Sequence, residues 1–86
     1  MKNLEKTLKA LSNRRRLAII KYLKESQPAP VGNIAENINL SFKATSKHLG
    51  VLSAVDVVEK EQKSSQVFYG LAANQNSAAK HIISLL

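Results

Sequence analysis

Between Val31 and Leu52 two helix-period hydrophobic patterns follow one another with only Asn39, Leu40 and Ser41 to turn the chain. Val31, Ile34, Ala35 and Ile38 recur at i, i+3, i+4 and i+7, the spacing of one helix face. After the turn Ser41 is a good N-cap, and Thr45, Leu49 and Leu52 form an inward stripe, with His48 alongside, over a helix from Phe42 to Ala54. Two helices joined this closely make a helix-turn-helix pair, and the rest of an 86-residue chain has to complete its core. A chain of this length builds a single domain, residues 1–86. It leaves much apolar surface exposed, which favours subunit association as a further source of stability.

The flanking segments supply the remaining elements. Leu4, Leu8 and Leu11 predict a short amphipathic helix over residues 3–11, broken at Ser12-Asn13. Asn13 caps a second helix whose stripe is Leu17, Ile20 and Leu23, widened by Ala18, Ile19 and Tyr22; it runs to about Glu25 and is ended by Pro28 and Pro30. After Ala54, Val55, Val57 and Val58 lead into a strand. Lys63-Ser64-Ser65-Gln66 turns the chain, and Val67, Tyr69 and Leu71 alternate with Phe68 and Gly70 in a second strand. Ala78, Ala79, Ile82, Ile83 and Leu86 predict a last helix over residues 75–86. The expected fold is mainly α with a small β-hairpin, four helices, two strands and a helix, which is the element order of a winged helix-turn-helix.

Charge narrows the function. Thirteen Lys and Arg face six Asp and Glu, a net charge of +7, and residues 1–30 alone hold eight bases against two acids. Such a surface suits a polyanion, and double-stranded DNA is the expected partner. The outward face of the Phe42–Ala54 helix carries Ser41, Phe42, Lys43, Ser46 and Lys47: two cations, two hydroxyls and an aromatic edge, a set fit to read a groove. Arg14, Arg15 and Arg16 open a helix, where each opposes the macrodipole by about 0.3–1 kcal/mol. Contact with phosphate would account for them, as would pairing of one or more with Glu5, Glu25 or another acid; a mixture is expected, with Arg16 the one that serves the fold. Lys60 and Lys63 flank the hairpin tip and are placed to grip the DNA backbone, beside the diluting Glu59 and Glu61.

Other classes are disfavoured. The chain has no cysteine, no Gly-rich phosphate loop, no clustered carboxylates and no paired histidines, so neither an enzyme, a metal site nor a bound cofactor is expected. The early charges at Lys2, Glu5, Lys6 and Lys9 and the brevity of the Leu17–Ile20 run argue against a signal or membrane segment and for a cytoplasmic protein. A winged-helix adaptor for other proteins and a non-specific nucleic-acid binder are the alternatives.

The segments LKALSNRRRLAIIKYL and IAENINLSFKATSKHLGVLSAVDVVEKEQKSSQVFYGL together resemble the ArsR-type winged helix-turn-helix repressors over about residues 8–71. The matching features are Leu8-Lys9-Ala10-Leu11-Ser12 with Arg16, Leu17 and Ile20; Leu40-Ser41; Ser46-Lys47-His48-Leu49 with Val51-Leu52; and Tyr69 with Leu71. The resemblance implies a homodimer built from the first and last helices and repression at a short inverted repeat, relieved by a signal. The apolar faces at Leu4, Leu8, Leu11 and Ala78, Ile82, Leu86 are the expected dimer interface. Metal-sensing members carry cysteines on the third helix or Asp/His sets on the last, and neither set is present at Pro30–Asn33 or Asn74–Leu86. The glycine usual before the wing is Asp56 here.

Overall fold

The computed structural model describes residues 2–86, with side chains from residue 3. Among them lie helices α1 (Lys2–Leu11), α2 (Arg14–Ser26), α3 (Val31–Ile38), α4 (Phe42–Ala54) and α5 (Ser77–Ser84), and strands β1 (Ala29–Pro30), β2 (Val58–Lys63) and β3 (Gln66–Leu71). α2 starts where Asn13 Oδ1 accepts the N–H groups of Arg15 (2.9 Å) and Arg16 (3.1 Å), two donors that otherwise have no partner inside the helix. Its Ile19, Ile20 and Leu23 are wholly buried and join Ile34 of α3, Leu49 and Leu52 of α4, Val58 of β2, and Ala79 and Ile83 of α5 in one core.

The apolar pattern of α1 divides between two faces. Thr7, Ala10 and Leu11 are buried, Leu11 at 3 % exposure, whereas Leu4 and Leu8 remain 38 % and 44 % exposed. Leu11 therefore belongs to the core of its own chain and drops out of the expected dimer set. At the other terminus Asn76 Oδ1 caps α5 by accepting the Ala79 N–H at 2.8 Å, so this helix runs from Ser77 to Ser84 rather than over 75–86. Ala79 and Ile83 point inward, Ala78 and Ile82 are half-buried, and Leu86 is exposed. The two terminal helices are tied together: Asn76 Nδ2 donates to Thr7 Oγ1 at 3.0 Å, and Thr7 donates in turn to the Asn3 carbonyl at 2.9 Å. Lys24 Nζ donates to the Ile83 carbonyl at 3.0 Å and fixes the end of α5 to α2.

The helix ends that bracket α4 are closed by one device. Asn39 lies at φ 56°, with Leu40 N–H donating to the Ala35 carbonyl (3.0 Å) and its own N–H to Glu36 (3.3 Å). Asp56 lies at φ 59°, with Val57 N–H donating to Leu52 (3.0 Å) and its own N–H to Ser53 (3.1 Å). Both are Schellman closures, which need a left-handed residue, and Asn and Asp are the side chains that tolerate it best after glycine. Asp56 thus occupies the glycine position, and Val57 is fully buried in the same core as Leu52. Residues 55–57 end the helix, so the strand expected from Val55 begins at Val58.

The prolines end α2 but not the regular structure. Ala29 pairs with Tyr69 and Pro30 with Phe68, giving a three-stranded antiparallel sheet in the order β1-β3-β2 where only a hairpin was expected. A two-residue strand has no alternation to read, and its proline is tolerated because β1 is an edge that can forgo an N–H. Beyond β1, Gln27 Oε1 accepts the Leu71 N–H at 2.6 Å, and a Cβ on Gly70 would stand 3.0 Å from that oxygen. Glycine at 70 is what lets Gln27 close the base of the hairpin.

One buried group is left over. Thr45 Oγ1, on the inward face of α4, has no hydrogen-bond partner among the described residues. Thr45→Val should raise stability by about 1 kcal/mol by removing that hydroxyl, seen as a higher urea midpoint at unchanged slope. An equal or lower midpoint would show that the hydroxyl is satisfied.

Candidate nucleic-acid interface

Helix periodicity places the outward face of α4 once Thr45, Leu49 and Leu52 are buried. Lys43, Ser46 and Lys47 are exposed on it, and Phe42 stands 63 % exposed in the first turn. Ser41 Oγ accepts the Ala44 N–H at 3.1 Å as N-cap, which leaves its O–H to donate outward. No residue of α4 is acidic. The structure therefore brings Ser41, Phe42, Lys43, Ser46 and Lys47 together at one end of one helix, at the N-terminus, where the exposed N–H groups and the dipole add positive potential.

The three arginines part company. Arg14 and Arg15 are exposed at the start of α2. Arg16 is half-buried, and its guanidinium is committed inside the protein. Nε donates to the Ala10 carbonyl, one terminal nitrogen to the Lys9 carbonyl at 3.4 Å, and the other to His48 Nδ1 at 3.1 Å. Arg16 thus joins the last carbonyls of α1 to the middle of α4, a role in the fold that sets it apart from Arg14 and Arg15. Neither Glu5 nor Glu25 serves as its partner; Glu5 lies 3.9 Å from Lys9 on the α1 surface. The Arg16–His48 contact spans 32 residues of sequence, and no local pattern announces it.

The wing cations are separated as well. Lys60 lies opposite Tyr69 and Lys63 opposite Gln66, so by strand alternation the two lysines are on opposite faces of the hairpin. Lys63 shares its face with Glu59 and Glu61, and its Nζ stands 5.9 Å from the centre of the Phe68 ring. Lys60 and Lys63 do not form a single basic patch.

The environment of His48 carries a pH dependence. Burial first, then the charges of Arg16, Arg15 and Lys47, lower its pKa from 6.5. As pH falls through 6.5 the unfolded chain takes up the proton and the folded chain does not. The stability contributed by neutral His48 is therefore complete above that pH and is lost as pH falls through the lower folded value. Melting temperatures taken between about pH 8 and about pH 5 should drop further for the wild type than for His48→Gln, which has no group titrating there. Parallel curves would remove this role from His48.

Comparison with known proteins places the chain. The helix-turn-helix domain family matches residues 11–61. The transcriptional activator HlyU of Vibrio cholerae is 34 % identical over 79 residues, spanning 92 % of this chain and 69 % of the relative. The solved structure of that protein covers 96 % of this chain and 86 % of its own, with a TM-score of 0.81 and 31 % identity. The transcriptional repressor BigR of Xylella fastidiosa is likewise similar, with a TM-score of 0.81 and 29 % identity over 96 % of this chain and 78 % of that one. A family match over the helix-turn-helix pair, a curated relative over most of the length and the winged architecture agree: the chain belongs to the helix-turn-helix domain family and is a DNA-binding transcriptional regulator of the ArsR type.

Proposed function

We propose that the protein binds an inverted-repeat operator as a homodimer, placing α4 in the major groove of each half-site, and represses transcription by occupying that site. It acts in the cytoplasm and catalyses nothing. The observation that carries this reading is the outward face of α4, where Lys43, Ser46, Lys47 and Phe42 are exposed with no acid on the helix and Arg14 and Arg15 stand on the neighbouring one. Lysine meets guanine O6/N7 or phosphate, serine meets base edges or phosphate, and an aromatic edge packs on a thymine methyl. The dimer follows from the uncovered apolar residues Leu4 and Leu8 on α1 with Leu86 at the other end of the chain, beside half-buried Ala78 and Ile82. Two-fold symmetry then sets half-sites about 10–10.5 bp apart or a multiple of this.

Titration against random duplex and against duplex from the upstream region of its own gene, at several salt concentrations, tests the first part. The wild type should prefer the upstream duplex by roughly a thousandfold or more, and Lys43→Ala/Lys47→Ala should lose that preference. Failure to bind either duplex at physiological salt would sink the reading in favour of a protein adaptor; equal, salt-sensitive binding to both would leave a non-specific coat. For the dimer, Leu4→Lys/Leu8→Lys should sediment as a monomer and bind DNA more weakly. Leu11→Ala should instead lose about 2–5 kcal/mol of stability, since its side chain fills the core.

A further inference from the structure

The ring of His48 stands at the junction of α2 and α4, and its chemistry there is determined by Arg16. A guanidinium only donates, so the 3.1 Å contact requires Nδ1 to be the unprotonated nitrogen, and the ring hydrogen sits on Nε2. Nε2 makes no hydrogen bond among the described residues, yet it is not a buried unpartnered atom, a condition that belongs to Thr45 Oγ1. It meets solvent as a donor. The charged groups that act on the ring are Arg15 and Arg16 from α2 and Lys47 from α4 itself, all cations, while α1 contributes only the Lys9 and Ala10 carbonyls that hold Arg16. Arg15 and Lys47 are exposed and are the chain neighbours of Arg16 and His48, so the 3.1 Å contact between those two brings one exposed cation of α2 and one of α4 to the same junction. A junction with two exposed cations and an imidazole N–H suits an anion.

We infer that Arg15, Lys47 and the Nε2–H of His48 together hold one backbone phosphate of a DNA duplex at the junction of α2 and α4, with Arg16 as the positioning residue that keeps His48 a donor. This rests on the reading of α4 as the recognition helix and adds to it a fixed point. One phosphate oxygen shared by groups on two helices sets how deeply α4 enters the groove, and Arg16 links that point to the end of α1.

The ring nitrogens and the duplex affinity test it together. In the free protein, 15N spectra of His48 should show the Nε2–H tautomer, and Arg16→Lys, whose ammonium cannot fork to three acceptors, should mix the two tautomers. Adding duplex should shift Nε2, and inorganic phosphate at the same ionic strength should not shift it to the same extent. His48→Leu should weaken duplex binding about tenfold or more, the loss of a hydrogen bond to a charged group. His48→Gln keeps an acceptor for Arg16 and an N–H donor, and should bind within about threefold of wild type. Arg15→Ala and Lys47→Ala should together reduce the dependence of log K on log salt by up to about one, and combined with His48→Leu should lose less than the product of the single effects because the three share one phosphate. If the wild type binds duplex while His48→Leu binds equally well and Nε2 does not move, the phosphate site is wrong and the recognition helix stands. If the wild type binds no duplex, both fall.

Discussion

Ile19, Ile20 and Leu23 of α2 form the row against which the rest of the molecule is assembled, for Leu11, Ala29, Ile34, Leu49, Leu52, Val58, Ala79 and Ile83 all join the same cluster. A chain of 86 residues has material for one such core and no second to fall back on. Interiors are packed as densely as organic crystals, so an element that contributes one or two residues to a single core is held in position by all the others. The consequence for function is geometric. With Thr45, Leu49 and Leu52 held in that core, the 3.6-residue period leaves Lys43, Ser46 and Lys47 nowhere to go but outward, on a helix whose axis the core has already set.

Around this core the basic residues are sorted into two kinds. Arg14, Arg15, Lys43 and Lys47 are exposed and contribute to the potential that draws a polyanion. Arg16 has been drawn inward, and its planar fork suits it to bridge two carbonyls of α1 and an imidazole of α4 in a way that a lysine cannot. Three consecutive, chemically identical residues thus differ in role because successive positions on a helix are rotated by about 100° from one another, and only one of the three faces the end of α1.

The wing carries no net charge, Lys60 and Lys63 being matched by Glu59 and Glu61. Its lysines lie on opposite sides of the hairpin, and one of them shares its side with two carboxylates. What anchors the wing is instead its base, where Ala29 and Pro30 pair along β3 and the Gln27 side chain reaches Leu71 across a glycine. The surplus of positive charge over negative therefore lies with the helices.

Much of this was legible in the residues alone. The helix-turn-helix pair, the caps at Asn13 and Ser41, the outward set on α4 and the order of elements all follow from spacings of three and four residues and from side chains that bond their own backbone, and such information is local. The division of α1 into a core face and an exposed face was not legible, because Leu8 and Leu11 both fit a helical stripe and only the position of α5 and α2 decides which is covered. Nor was β1, whose two residues acquire meaning only when β3 lies beside them. For Arg16 only half was legible: the residues single it out from its two neighbours as the arginine that serves the fold, but its partners, the end of α1 and His48, are supplied by the tertiary structure and not by the acids the sequence offered. Local periodicity determined which elements form and which way each one faces; tertiary structure decided which side chains meet, because partners far apart in sequence share no spacing that the chain itself records.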